Sequence, residues 1–203
     1  MDDGVSFGAW LIAIMIAIYL ALFTQLSTLI IVPIILALGG IVMQISMSGK
    51  LEHDPDISEG EGSNILKWTV VAMLSMTVAS FTIPQLFLPP TNFSVTTLDS
   101  VLYSQLYAIS EERFFRGGIN TFLLWKFQNP VLCSVLGGGI FAVYHFAAYG
   151  TSDMLLAIVF TAGLVLSYVT YRTNRLTSAT LAHSANNLMA SVFRIVQAGG
   201  AVA

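Results

Sequence analysis

Glu111, Glu112, Arg113 and Arg116 stand together in Ser110-Glu111-Glu112-Arg113-Phe114-Phe115-Arg116-Gly117-Gly118, in the middle of an otherwise apolar segment. An ionised side chain at the centre of a lipid-spanning helix costs at least about 3 kcal/mol on insertion scales, so a charge retained there is a functional candidate. Helical geometry separates the two carboxylates. Glu112 and Arg116, at i and i+4, share a face and form an ion pair with the acid N-terminal, the favourable order. Glu111 points about 100° away and has no such intrahelical partner, which makes it the candidate general base. The alternative is a buried salt-bridge cluster that only fixes helix packing, with Gly117 and Gly118 allowing close approach.

Two of the three histidines also fall in apolar segments. His145 follows Phe141 by one helical turn, and His183 precedes Asn187 by one turn. Each taken singly reads as a hydrogen-bonded packing residue; together they lie on segments that follow the Glu-Glu segment and can converge with it. His53, in an acidic loop, reads as solvated. Two chemistries use such a set. In one, Glu111 with His145 activates a water against a peptide carbonyl, and His183 with Asn187 donates hydrogen bonds to the developing oxyanion. In the other, Glu111, His145 and His183 hold a zinc ion whose bound water is the nucleophile. There is no His-Glu-x-x-His segment to support the second, and no Gly-x-Ser-x-Gly segment to support a serine nucleophile.

The elements that must position these residues follow from composition. The chain has 203 residues, 56% hydrophobic and only 9% charged, with mean hydropathy +0.79. A soluble domain carries roughly a quarter of its residues as charges, so this chain belongs in a lipid bilayer. A formal net charge of -3 and thinly spread basic residues leave no patch for a phosphate backbone, which argues against nucleic acid as a partner. The lone cysteine, Cys133, excludes an internal disulfide.

Apolar runs predict spans at Phe7–Phe23, Thr28–Ile45, Ile65–Ile83, Val101–Phe127, Val131–Tyr149, Met154–Tyr171 and Leu176–Val196. Each is about the length needed to cross a hydrocarbon core of about 30 Å. The expected fold is therefore all-α, a polytopic transmembrane bundle of about seven to eight helices in one domain, residues 1–203, enclosing a water-accessible catalytic cavity. The start Met1-Asp2-Asp3-Gly4 lacks the basic segment of a secretory signal, so the first run reads as a retained helix. Ser48–Asn64, rich in acids, Gly and Pro55, reads as a solvated loop, and Pro84–Ser100 as a second connection. With the N-terminus cytoplasmic, Lys50, Lys67, Lys126, Arg172 and Arg175 fall at cytoplasmic ends, and only Arg194 lies on the wrong side.

Glu111-Glu112-x-x-x-Arg116, Phe141-x-x-x-His145 and His183-x-x-x-Asn187, in this order on successive helices, resemble the CAAX protease and bacteriocin-processing (CPBP, or ABI) family, which includes the type II CAAX prenyl endopeptidases. Ala162-Gly163-Leu164-Val165-Leu166-Ser167-Tyr168 and Arg172-Thr173-Asn174-Arg175-Leu176 through Ala182-His183 look like the family's lead into its last motif. The resemblance covers residues 101–191. It implies an intramembrane endopeptidase of the glutamate type, without a tightly bound metal or other cofactor, although family members are also described as metalloproteases. The implied substrate is a peptide or a lipidated, CAAX-like protein in the membrane. Glu111 is then the water-activating base assisted by His145, Glu112 and Arg116 organise the site, Phe141 supports it, and His183 and Asn187 form the oxyanion and substrate-positioning pair. Ser167 stands where the family often has glycine, a difference expected to alter packing only, and the neighbouring Asn186 competes with Asn187 for the amide role.

Depth gives one discrepancy. Counted from the cytoplasmic helix ends, Glu111 and His145 lie about 20 Å deep but His183 only about 12 Å. Either residues 173–177 enter the membrane beside a water-filled cavity, or the last helix begins earlier than Leu176. The rival to a peptidase is a non-catalytic membrane protein that uses the same Glu, Arg and His residues as a proton or ion pathway or as a partner-binding scaffold.

Overall fold

The computed structural model describes Ile16 and residues 28–47, 61–82, 97–149 and 152–200. The predicted span Phe7–Phe23 apart from Ile16, the loop around His53 and most of the connection after Pro84 lie outside the described residues. Those described are helical and contain no strand: α1 Thr28–Met47, α2 Glu61–Thr77 with a terminal wide turn Val78–Thr82, α3 Leu98–Glu111, a second wide turn Glu112–Ile119, α4 Asn120–Phe127, α5 Pro130–Tyr149, α6 Asp153–Thr173 and α7 Leu176–Gly200.

Local chemistry sets the boundaries. Thr97 caps α3 by accepting the Ser100 N–H. Gln128 closes α4 in the left-handed region, at φ 52°. Asn129 then caps the next helix by accepting the Leu132 N–H at 3.0 Å, and Pro130 opens it at a position where a missing N–H is harmless. Asn174, at φ 51°, ends α6, and Thr173 Oγ1 accepts the Arg175 N–H across the tight link to α7. The expected loop Ser48–Asn64 ends earlier than the sequence indicated, because α2 begins at Glu61.

Large aliphatic side chains face outward, among them Ile34, Leu38, Val42 and Ile45 on α1 and Leu66, Val70 and Leu74 on α2. Glu112, Arg116 and Asn120 are fully buried. A chain in water would reverse that arrangement. One described helix, α6 with mean hydropathy 2.0, is long and apolar enough to cross a membrane by itself; the apolar stretches Ile31–Met47, Asn64–Ser80 and Pro130–Phe146 are shorter.

Two apolar cores hold the helices. Val32, Leu36, Met43 and Met47 of α1 pack with Phe114, Phe115, Phe141 and Tyr144 in one. Ala72 and Met76 of α2 pack with Leu166 and Val169 of α6 and Ala179 and Ala182 of α7 in the other. Close crossings depend on glycine. A Cβ on Gly163 would lie 2.9 Å from the Gly138 Cα, so α5 and α6 meet backbone to backbone. A Cβ on Gly40 would run into the Arg113 carbonyl, so α1 lies directly against the wide turn of residues 112–119.

Candidate functional site

The residues singled out by the sequence are brought together. Arg116 Nη1 donates to Glu112 Oε1 at 2.9 Å, the pair expected from their i,i+4 spacing. The backbone that presents it is not a plain α-helix. Asn120 N–H donates to the Phe115 carbonyl, five residues back, in the widened turn that begins at Glu112. Such turns are rare and recur at functional sites. Arg116 Nη2 donates to the Gly163 carbonyl of α6 at 3.2 Å, and its guanidinium lies 4.3 Å over the Phe141 ring. The arginine thus ties the turn to both α5 and α6, which a lysine, with its point charge, does not reproduce.

Both histidine rings have one nitrogen committed. His145 Nδ1–H donates to the Phe141 carbonyl at 2.8 Å, since a carbonyl oxygen only accepts. His183 Nδ1 meets Glu112 Oε1 at 2.7 Å. Each ring therefore turns Nε2 towards Glu111, at 3.8 Å from Oε1 for His145 and 3.9 Å from Oε2 for His183. These separations are too long for direct hydrogen bonds and suit an intervening water. Glu111 is flanked across space by two imidazoles.

A cavity of about 330 Å³ opens on this group. Glu111, His145, His183, Asn186 and Asn187 line it together with Ser104, Tyr107 and Phe141, and Met76, Ile158 and Val159 give it an apolar wall. Glu112 and Arg116 lie behind the cavity wall, fully buried. Asn187 Nδ2 donates to the Ser104 carbonyl at 3.1 Å, joining α7 to α3. Sequence reasoning passed over Ser104 and Tyr107, although they precede Glu111 by seven and four residues and so share its helix face. It also treated Ser167 as a packing difference. Ser167 Oγ donates to the Gly163 carbonyl at 2.7 Å, the same oxygen that receives Arg116 Nη2.

The depth discrepancy is resolved by the packing. α7 begins at Leu176, as the sequence indicated, but it begins beside Gly117, whose Cβ position lies 3.6 Å from a Leu176 methyl. Tyr171, near the end of α6, donates its hydroxyl to the Asn120 carbonyl at 2.9 Å. The α6–α7 link is therefore set in from the Phe127 end of α4 by about 15 Å along the helix axis. From there, seven residues of α7 raise His183 by about 10 Å, close to the rise from Gly117 back to Glu111. The last helix does not begin earlier than Leu176; its start is instead set in beside Gly117.

Residues 92–189 match the family model described as type II CAAX prenyl endopeptidase, Rce1-like. This region, just under half of the chain, is Rce1-like. All of the residues that line the cavity, except Met76, Ser80, Ala190 and Ser191, fall inside the Rce1-like region. A protein of Bacillus subtilis (strain 168), YyaK, itself described only as uncharacterized, is 35% identical over 91 residues, which cover 41% of this chain and 29% of the relative. The chain thus spans less than a third of that relative's length. No solved structure matches the chain.

Proposed function

We propose that this Rce1-like protein is a polytopic intramembrane endopeptidase that hydrolyses a peptide bond in a membrane-associated or lipidated, CAAX-like substrate, with Glu111 as the base that activates water. The observation that carries this reading is the pair of Nε2 atoms, each aimed at Glu111 with its Nδ1 already committed. Outward aliphatics and buried charges support a lipid setting for the bundle, and Lys67, Lys126, Arg172 and Arg175 near one end favour that end as cytoplasmic.

In the proposed reaction a water between Glu111 and His145 gives a proton to the Glu111 carboxylate while its oxygen bonds to the peptide carbonyl carbon. The neutral His145, protonated at Nδ1, accepts the water's other hydrogen at Nε2 and so orients it. The tetrahedral oxyanion takes hydrogen bonds from His183 and from the amide side of α7. To donate, His183 must carry both ring protons, one held on Glu112 and one directed into the cavity. Glu111 then returns its proton to the leaving amine as the C–N bond breaks.

A second, zinc-dependent reading has support in the ring contacts alone, since among the described residues no three side chains are already spaced to hold an ion. Metal-binding histidines characteristically donate their other nitrogen to a carboxylate or a backbone carbonyl, as His183 and His145 do. Ligand atoms around a tetrahedral zinc lie about 3.3 Å apart, closer than the 3.8 and 3.9 Å from Glu111 to the two rings. Glu111, His145 and His183 would have to draw in by about half an ångström to hold the ion, whose role would be to acidify a bound water. The metal-free reading takes the distances as they stand.

The deciding experiment is Glu111→Gln in purified protein reconstituted in liposomes, with a farnesylated peptide ending in cysteine, two aliphatic residues and a variable residue. Cleavage is expected to fall by at least about 10³-fold, the scale of losing an essential base. Undiminished cleavage would sink the reading, and proton flux without cleavage would favour the ion-pathway alternative.

A further inference from the structure

We infer that Asn186 accepts a backbone N–H of the bound substrate, beside the pair that His183 and Asn187 form; this inference rests on the endopeptidase reading above. The two side chains are adjacent in sequence and both line the cavity, but their commitments differ. Asn187 Nδ2 is engaged with the Ser104 carbonyl, a contact that sets the spacing of α3 and α7 where the cavity leaves Glu111. Among the described residues no donor reaches Asn186 Oδ1, which is buried.

A buried amide oxygen without a donor is destabilising, and native structures keep few of them. The donor missing from the protein is one that a peptide supplies: a backbone N–H. An extended peptide entering an apolar-walled cavity also needs its own N–H groups satisfied, because little water accompanies it. The terminal torsion of an asparagine is broad, so the Asn186 amide turns towards an incoming N–H without breaking a bond at Oδ1. Its place suits this role. Asn186 follows His183 by about one helical turn, or about 4.5 Å along α7, so it addresses the peptide next to the carbonyl that His183 and Glu111 address. Met76, Ile158 and Val159 line the same cavity and offer apolar contact to the side chains.

Two measurements on the full chain in liposomes test the inference with the farnesylated peptide as probe. In the first, Asn186→Ala is expected to raise KM by about five- to tenfold, the loss of one hydrogen bond to substrate, while kcat stays within about twofold. In the second, Asn186→Cys is placed in a Cys133→Ser, Glu111→Gln background, where peptide is bound but not consumed, and maleimide labelling at position 186 is timed. Peptide is expected to slow labelling there and to leave a Gly139→Cys control, on an open face of α5, unaffected. An unchanged KM together with unprotected Cys at 186 overturns the contact while leaving the endopeptidase reading standing. Protection by a peptide that the unsubstituted protein never cleaves upholds the contact and overturns that reading. Neither cleavage nor protection overturns both.

Discussion

His183 on α7 and Glu112 at the start of the wide turn meet at 2.7 Å. Glu112 Oε1 is shared, since Arg116 Nη1 reaches the same oxygen at 2.9 Å. One carboxylate oxygen thus receives the helix's own arginine and a histidine from the last helix, and the orientation of the His183 ring depends on a residue outside the cavity. Both contacts fall on Oε1, while among the described residues no donor reaches the buried Oε2, so the stability of this buried pair depends on Arg116 and His183 together.

Removing that carboxylate should therefore act twice. Glu112→Ala leaves Arg116 buried without its counter-ion and is expected to destabilise the protein by about 3–5 kcal/mol, read as a fall in the thermal midpoint in detergent. It also frees the His183 ring, so cleavage by the surviving folded protein is lost. Glu112→Gln combined with Arg116→Met, which removes both charges, is expected to recover much of the stability and none of the cleavage. Recovery of both would mean that the pair only packs helices.

Arg116→Lys tests the fork. Arg116 reaches Glu112 and the Gly163 carbonyl with different nitrogens and stacks on Phe141. A lysine keeps the charge and loses the planar group that makes all three contacts possible. Loss of about 2 kcal/mol of stability is expected, the scale of one charge-assisted hydrogen bond, together with at least about tenfold lower kcat/KM. A lysine variant equal to the parent in both measurements would refute the importance of the tie from the wide turn to α5 and α6.

Glycine contacts give an internal comparison. Gly40→Ala directs a methyl into the Arg113 backbone, where no side-chain rotation relieves it, and is expected to cost about 1–3 kcal/mol and to disturb the wide turn carrying Glu112. Gly139→Ala on α5 meets nothing within 4 Å and should be neutral or stabilising by up to about 1 kcal/mol through helix propensity. Thermal midpoints of the two variants in the same detergent check the ordering, and the reverse ordering would mean that α1 does not pack as described.

Chelation separates the two hydrolytic readings. Cleavage in liposomes is expected to survive prolonged treatment with a strong zinc chelator on both faces of the bilayer. If activity is lost and returns with added zinc, Glu111, His145 and His183 are metal ligands and the water is activated by the ion.

The sequence by itself determined the interactions that one helix makes with itself and the character of the surface around it. Scarce charge placed the chain in lipid, and i,i+4 spacing paired Glu112 with Arg116, because both depend on composition and helical pitch. The same spacing was available for Ser104 and Tyr107 but passed unused, since neither residue is costly in an apolar segment and neither drew attention. The widened backbone after Glu111 was not legible, because its neighbours come from segments distant in sequence: α1 crosses the Arg113 backbone at Gly40, and Arg116 bonds the Gly163 carbonyl of α6. Relative helix heights belonged to the tertiary structure alone. Leu176 packs beside Gly117 and so lifts His183 to Glu112, and the Asn187 contact with Ser104 decides which amide is already engaged. Contacts between helices distant in sequence depend on shape at the crossing, and hydrophobic periodicity, which records only which face is apolar, carries no measure of height.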